Sequence, residues 1–206
     1  MPDAILILCP TTSRRVRVRM CKRDLQMTKN SQPPIQPYLA IINDLVPPGS
    51  PAMMDFGSPQ QRIREHPALV PLLQTYLADR ALGGQGGSIG DGAFDATLVL
   101  SWIRDLSHQR PSIGELSAAP LLDSWCAIVE DAVPLLVGRV SGHPHLREGA
   151  RVRTSPLMNL QSNEGWARSC NRFYRLGARD EGFFETLKRD GRLSPSVQFL
   201  RADRSS

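Results

Sequence analysis

GWARSCNRFYRLG, residues 165–177, decides how the second half of the chain is closed. Trp166, Cys170, Phe173 and Tyr174 fall at helical spacing, and Gly177 stands where a helix is stopped by a left-handed residue. The spacing predicts an amphipathic helix. Its opposite face would carry Arg168, Arg172, Arg175 and Arg179, which are 4, 3 and 4 positions apart and would stack along one side. Such a helix needs a sheet to cover.

The residues before it supply strand candidates. SWCAIVE (124–130) alternates Trp125, Ala127 and Val129 with Cys126 and Ile128. PLLVGRVS (134–141) and ARVRTSPL (150–157) are two more β-rich runs, and HPHLREG (143–149) between them is polar enough to reverse the chain. Further upstream, Phe94, Leu98, Trp102, Ile103 and Leu106 form an apolar stripe opposite Asp95, Arg104 and Asp105, predicting a helix over 92–108. Ser112 and Glu115 have capping-box spacing and start a short helix limited by Pro120. Downstream, a short helix is expected over 183–189, with Asp180 before it and Gly191 after, and SPSVQFLRADRSS (194–206) reads as tail.

The expected fold is α+β: a small antiparallel sheet of about three strands covered by the Phe94 and Trp166 helices, with a long, poorly ordered N-terminal arm. That arm, 1–60, holds Pro33, Pro34, Pro37, Pro47, Pro48, Pro51 and Pro59, each of which removes an amide donor. Within it, SRRVRVRMCKR (13–23) alternates Val16, Val18 and Met20 with arginines, which suits either a strand with one cationic face or a solvated basic tail. Leu69, Leu72, Leu73, Tyr76 and Leu77 predict a helix within 61–82, and the glycine-rich 83–91 reads as a linker to the α+β domain at 92–179. Residues 180–206 complete the chain as short helix and tail.

A formal charge of +5 and a pI near 9.4 suit nucleic acid, an anionic membrane surface or an acidic protein, and select none of them. Cysteines 9, 21, 126 and 170 lack C-x-x-C spacing and read as reduced thiols of a cytoplasmic protein. The apolar run 4–9 is far shorter than the roughly 20 residues a membrane span requires.

Four segments, APLLDSW, LVGRVSGHPHL, VRTSPL and GWARSCNRFYRLG, follow one another between 119 and 177. In that order they resemble an uncharacterised, mostly alphaproteobacterial domain-of-unknown-function family (DUF6634-like), with its AP-L-D-W, G-x-V-x-GHP-x-L and x-TS-x-L segments and a GWART-type helix ending in RFYRLG. Here Ser169-Cys170-Asn171 departs from that pattern, the chain continues past Gly177, and the N-terminal half has no counterpart. The resemblance implies domain boundaries and no mechanism, so it assigns no catalytic residue.

Three constellations invite chemistry. His143 and His145 flank Pro144, and side chains two apart in extended backbone point the same way, as metal ligands or a general base require; a zinc centre nevertheless needs three or four ligands, and Gly142-His143-Pro144 also suits a plain bend. Ser88 sits in a G-x-S-x-G match, 86–90, but without the preceding buried strand of a nucleophile elbow; the same glycines lack the pattern of a phosphate-binding loop. Finally, Arg151, Arg153, Arg168, Arg172, Arg175 and Arg179 stand against one acidic residue, Glu164, a local charge of +5. The expectation is a non-enzymatic binding or regulatory module that meets nucleic acid or a protein through these arginines, with no cofactor; the competing expectation is a metal-dependent or hydrolytic enzyme built on His143 and His145.

Overall fold

The computed structural model describes residues 34–45, 58–82 and 94–200. The helices are α1 Pro37–Leu45, α2 Pro59–Glu65, α3 Val70–Leu82, α4 Ala96–His108, α5 Ile113–Ala118 and α6 Glu181–Arg189; the strands are β1 Leu121–Glu130, β2 Val133–Ser141, β3 Ala150–Arg153, β4 Leu157–Gln161, β5 Trp166–Ser169, β6 Phe173–Leu176 and β7 Gln198–Phe199. Local side chains fix several helix starts. Asp95 accepts from the amides of Thr97 and Leu98, Asp180 accepts from Phe183, and Ser112 and Glu115 complete the expected capping box.

Strand β1 organises the sheet because it changes partners along its length. It turns into β2 through Asp131 and Ala132, whose φ values of 50° and 67° match a two-residue hairpin turn of the right twist. Ser124, at φ 47°, marks a bulge where the β1–β2 register slips between Asp123 and Cys126. Before the bulge Leu121 and Leu122 pair in parallel with Arg175 and Leu176; after it Ile128 and Val129 pair antiparallel with Phe199 and Gln198. The result is a seven-stranded mixed sheet, ordered β3-β2-β1-β6-β5-β4, with β7 attached to β1.

This overturns the expected antiparallel sheet of about three strands. The decisive difference is at 165–177, where a hairpin, β5 and β6, replaces the expected helix, with Trp166 opposite Arg175, Ala167 opposite Tyr174 and Arg168 opposite Phe173. The physical reason is burial on two sides. Ala167 and Tyr174 enter the core with Leu122, Trp125, Leu136 and Leu160, while Trp166 and Phe173 pack under Leu116 and Ala119 at α5. A helix would bury one stripe only, whereas each large side chain removed from water contributes about 1.5–3 kcal/mol. Of the expected tail, 194–200 are described and pack on the domain, with Val197 buried beside Phe183, Phe184 and Leu187 of α6 and β7 paired with β1, while 201–206 lie outside the described residues.

Of the expected arm, 34–45 and 58–60 are described. Pro37 and Pro59 are the first residues of α1 and α2, where a missing amide costs nothing, and Tyr38 and Ile42 are fully buried. They share a core with Leu69, Leu72, Val99, Ile103 and Met158. The basic stretch 13–23 and the glycine-rich 83–92 lie outside the described residues.

Candidate nucleic-acid interface

Directly opposed residues of an antiparallel pair share a face, so the β5–β6 register sets Trp166, Arg168, Phe173 and Arg175 on one side of the hairpin. Helix α5 covers the two aromatic rings, which meet edge to face at 6.0 Å, and leaves the two arginines flanking them. Arg168 lies over the Phe173 ring at 4.7 Å. Burial lowers the proton affinity of its guanidinium, Cys170 and Glu115 pull the other way, and its buried Nε has no hydrogen-bond acceptor among the described residues. An arginine in that position remains charged at neutral pH. Arg175 is exposed and donates through Nε to the Ala119 carbonyl at 3.0 Å.

Arg172 occupies the hairpin turn, whose backbone is held from outside. The Cys170 amide donates to the Pro156 carbonyl at 2.7 Å, the Asn171 amide to Ser155 Oγ at 3.3 Å, and Ser169 closes on Arg172 through its own amide and hydroxyl. The TSPL residues therefore serve as a cradle for the turn, and Thr154 Oγ1 ties the same segment to β2 by accepting from the Leu136 amide at 3.0 Å.

The six expected arginines divide into two sets. Arg151 meets Asp190 at 3.7 Å, Arg153 meets Glu130 at 2.7 Å, and Arg179 meets Glu181 at 2.9 Å while also lying over the Trp125 and Phe199 rings. Arg168, Arg172 and Arg175 form no ion pair among the described residues. The nearby carboxylates are engaged elsewhere: Glu164 receives Arg110 at 3.3 Å and Trp166 Nε1 at 2.9 Å, and Glu115 receives the Ser112 amide and hydroxyl.

His143 and His145 occupy the β2–β3 loop, where Gly142 has φ 69°. Their rings stand edge to face at 6.1 Å, and the His145 amide donates to His143 Nδ1 at 3.2 Å. Desolvation, then Arg172 and His145, hold the His143 imidazole below its ordinary range. The topology explains the first of these neighbours. Leu121 pairs with Ser141 on one side and Arg175 on the other, so going back along β1 leads toward His143 on one flank and Arg172 on the other. Arg147, exposed in the same loop and visible in HPHLREG, belongs to this end and was not singled out from sequence.

No group of three or more His, Cys, Asp or Glu side chains converges as a metal site among the described residues. Cys126 and Cys170 are buried in separate clusters, which pushes their thiols up to about 12 and about 11. Ser88 lies outside the described residues.

Sequence reasoning missed a joint at the bulge. Asp123 Oδ1 accepts from the Ala178 amide at 2.7 Å, Trp125 Nε1 donates to the Gly177 carbonyl at 3.1 Å, and the Gly177 amide donates to the Leu122 carbonyl at 2.9 Å. A Cβ at Gly177 would collide with the Asp123 carboxylate. Thus Gly177 is where β6 leaves β1, and it caps no helix.

These features define an α+β domain with a mixed sheet and a cationic hairpin face. The chain belongs to a family of unknown function, DUF6634, whose model matches residues 90–203. That span adds α4, α5, α6 and β7 to the segments quoted from sequence, which agrees with their packing on the same sheet. Comparison with curated proteins and with solved structures gave no match. No described helix is long and apolar enough to cross a membrane.

Proposed function

We propose that the domain is a non-enzymatic binding module that holds nucleic acid by its phosphates through Arg168, Arg172 and Arg175. One observation carries this reading: these three guanidiniums lie on one hairpin without a carboxylate partner among the described residues, although carboxylates stand close by. Cations that lack a carboxylate partner favour an incoming anion, most of all the half-buried Arg168, and a planar guanidinium suits phosphate geometry. Trp166 and Phe173 lie under α5 and offer no ring to a base, so the contact is to the backbone and independent of sequence.

Fluorescence anisotropy on a 20-base-pair duplex tests the reading. Three phosphate contacts correspond to a slope of log K against log salt of about −2.7. Replacing Arg168, Arg172 and Arg175 together with Gln should abolish most of the affinity. Unchanged binding after that replacement sinks the proposal, and binding of an acidic peptide in preference to the duplex redirects the surface to a protein partner.

A further inference from the structure

We infer that the groove between the outer edge of β4 and helix α4 is a peptide-docking surface, and that residues 34–45 occupy it in cis as one added strand residue followed by an amphipathic helix. Strand β4 ends the sheet, and its open side is met by Ile35. The Ile35 amide donates to the Leu160 carbonyl at 3.1 Å and the Leu160 amide to the Ile35 carbonyl at 2.9 Å, so a single residue extends the sheet. Pro37 then begins α1, which packs on α4 and β4. Its anchors are Tyr38 and Ile42, one helical turn apart and fully buried with Val99, Ile103 and Met158.

Polar groups fix the register. Gln36 Nε2 donates to the Ser107 carbonyl in the last turn of α4 at 2.7 Å, and Asn159 Nδ2 of β4 donates to the same oxygen at 2.8 Å. The groove therefore presents an apolar floor, a strand edge and one shared carbonyl, which together select an Ile-Gln-Pro-Tyr-x-x-x-Ile pattern.

Two observations mark the segment as a ligand of the domain. First, α4 and β4 lie inside the family match, 90–203, whereas 34–45 lie outside it. Second, the Tyr38 hydroxyl is buried with no hydrogen-bond partner among the described residues, so the docked state carries a desolvation cost that weakens the seat. A nine-residue helix is unstable alone, so the segment folds as it docks and unfolds as it leaves.

The test uses the full chain with a specific protease site inserted within 46–57. After cleavage, a fluorescein-labelled peptide of residues 33–46 should bind saturably. An Ile42→Ala peptide should bind at least about 30-fold more weakly, because it loses a buried anchor, and a Tyr38→Phe peptide at least about fivefold more tightly. In the uncut chain, hydrogen exchange at amides 41–45 should run at least about tenfold faster than at 126–128 of β1. Global unfolding on cleavage, a cut and folded protein that ignores the peptide, equal binding of the Ile42→Ala peptide, or equal protection of the two amide groups each overturns the inference.

Discussion

Arg151, Arg153 and Arg179 differ from Arg168, Arg172 and Arg175 in one respect that a charge count cannot see. The first set meets Asp190, which caps the end of α6, Glu130 at the end of β1 and Glu181 in the first turn of α6. The second set is carried by a hairpin whose neighbouring carboxylates are held by Arg110, Trp166 and Ser112. Equal charges thus divide into one group paired with acids of the fold and another with no ion pair among the described residues. A local excess of arginine stays open to an outside anion only where folding fails to bring up an acid.

The largest expected effect tests that division directly. Replacing Arg168, Arg172 and Arg175 with Gln should weaken duplex binding by about 100-fold at low salt, since three charge-assisted phosphate contacts are lost. Replacing Arg151, Arg153 and Arg179 with Gln should change it by about threefold or less, because those charges are already compensated. Circular dichroism of both variants checks the fold. Equal losses would mean that net charge governs binding and that the hairpin has no special part.

Next comes the joint that aims the hairpin. Gly177→Ala drives a methyl group into the Asp123 carboxylate, and overpacking of this kind costs about 1–3 kcal/mol. Urea unfolding should therefore show a loss of about 2 kcal/mol. Adding Asp123→Ala removes the collision while leaving the Ala178 amide without its acceptor, so the double variant should be more stable than the sum of the two single losses allows. Strict additivity would show that the two residues do not meet.

The sequence was legible where a signal was local. The Ser112–Glu115 capping box, the Asp180 start of α6, the alternation in β1 and the bend at Gly142 all depend on residues within a few positions of one another. It was illegible at 165–177 because Trp166, Phe173 and Tyr174 satisfy a helical spacing and a two-sided hairpin equally well. The choice was made by β4 and β1, which offer ladder partners on both sides, and by α5, which buries the outer rings. The ion pairing of the arginines was hidden for the same reason: all six were visible, but Glu130 and Asp190 lie 23 and 39 residues from Arg153 and Arg151, so their pairing exists only after folding.

A smaller effect separates members of the paired set. Glu130 keeps 15% of its side chain exposed and Asp190 37%, so losing Arg153 strands a more buried carboxylate than losing Arg151 does. Arg153→Ala should cost about 1–2 kcal/mol in urea unfolding, and Arg151→Ala less than about 0.5 kcal/mol. A reversed order would remove burial as the reason.

The smallest expected effect joins the histidine loop to the unpaired set. His143 sits below its ordinary range because of desolvation, Arg172 and His145, so it is neutral at pH 7.5 and gains its charge only as pH falls through that lowered value. Protonation there adds a cation beside Arg172, where a bound phosphate is expected, and phosphate in turn favours the protonated ring. Duplex affinity at constant ionic strength should rise about threefold between pH 7.5 and 5.5, one added exposed charge being worth less than about 1 kcal/mol. His143→Gln should flatten that rise while leaving the affinity at pH 7.5 nearly unchanged. Identical pH profiles for the two proteins would separate the loop from the hairpin and confine the interface to Arg168, Arg172 and Arg175.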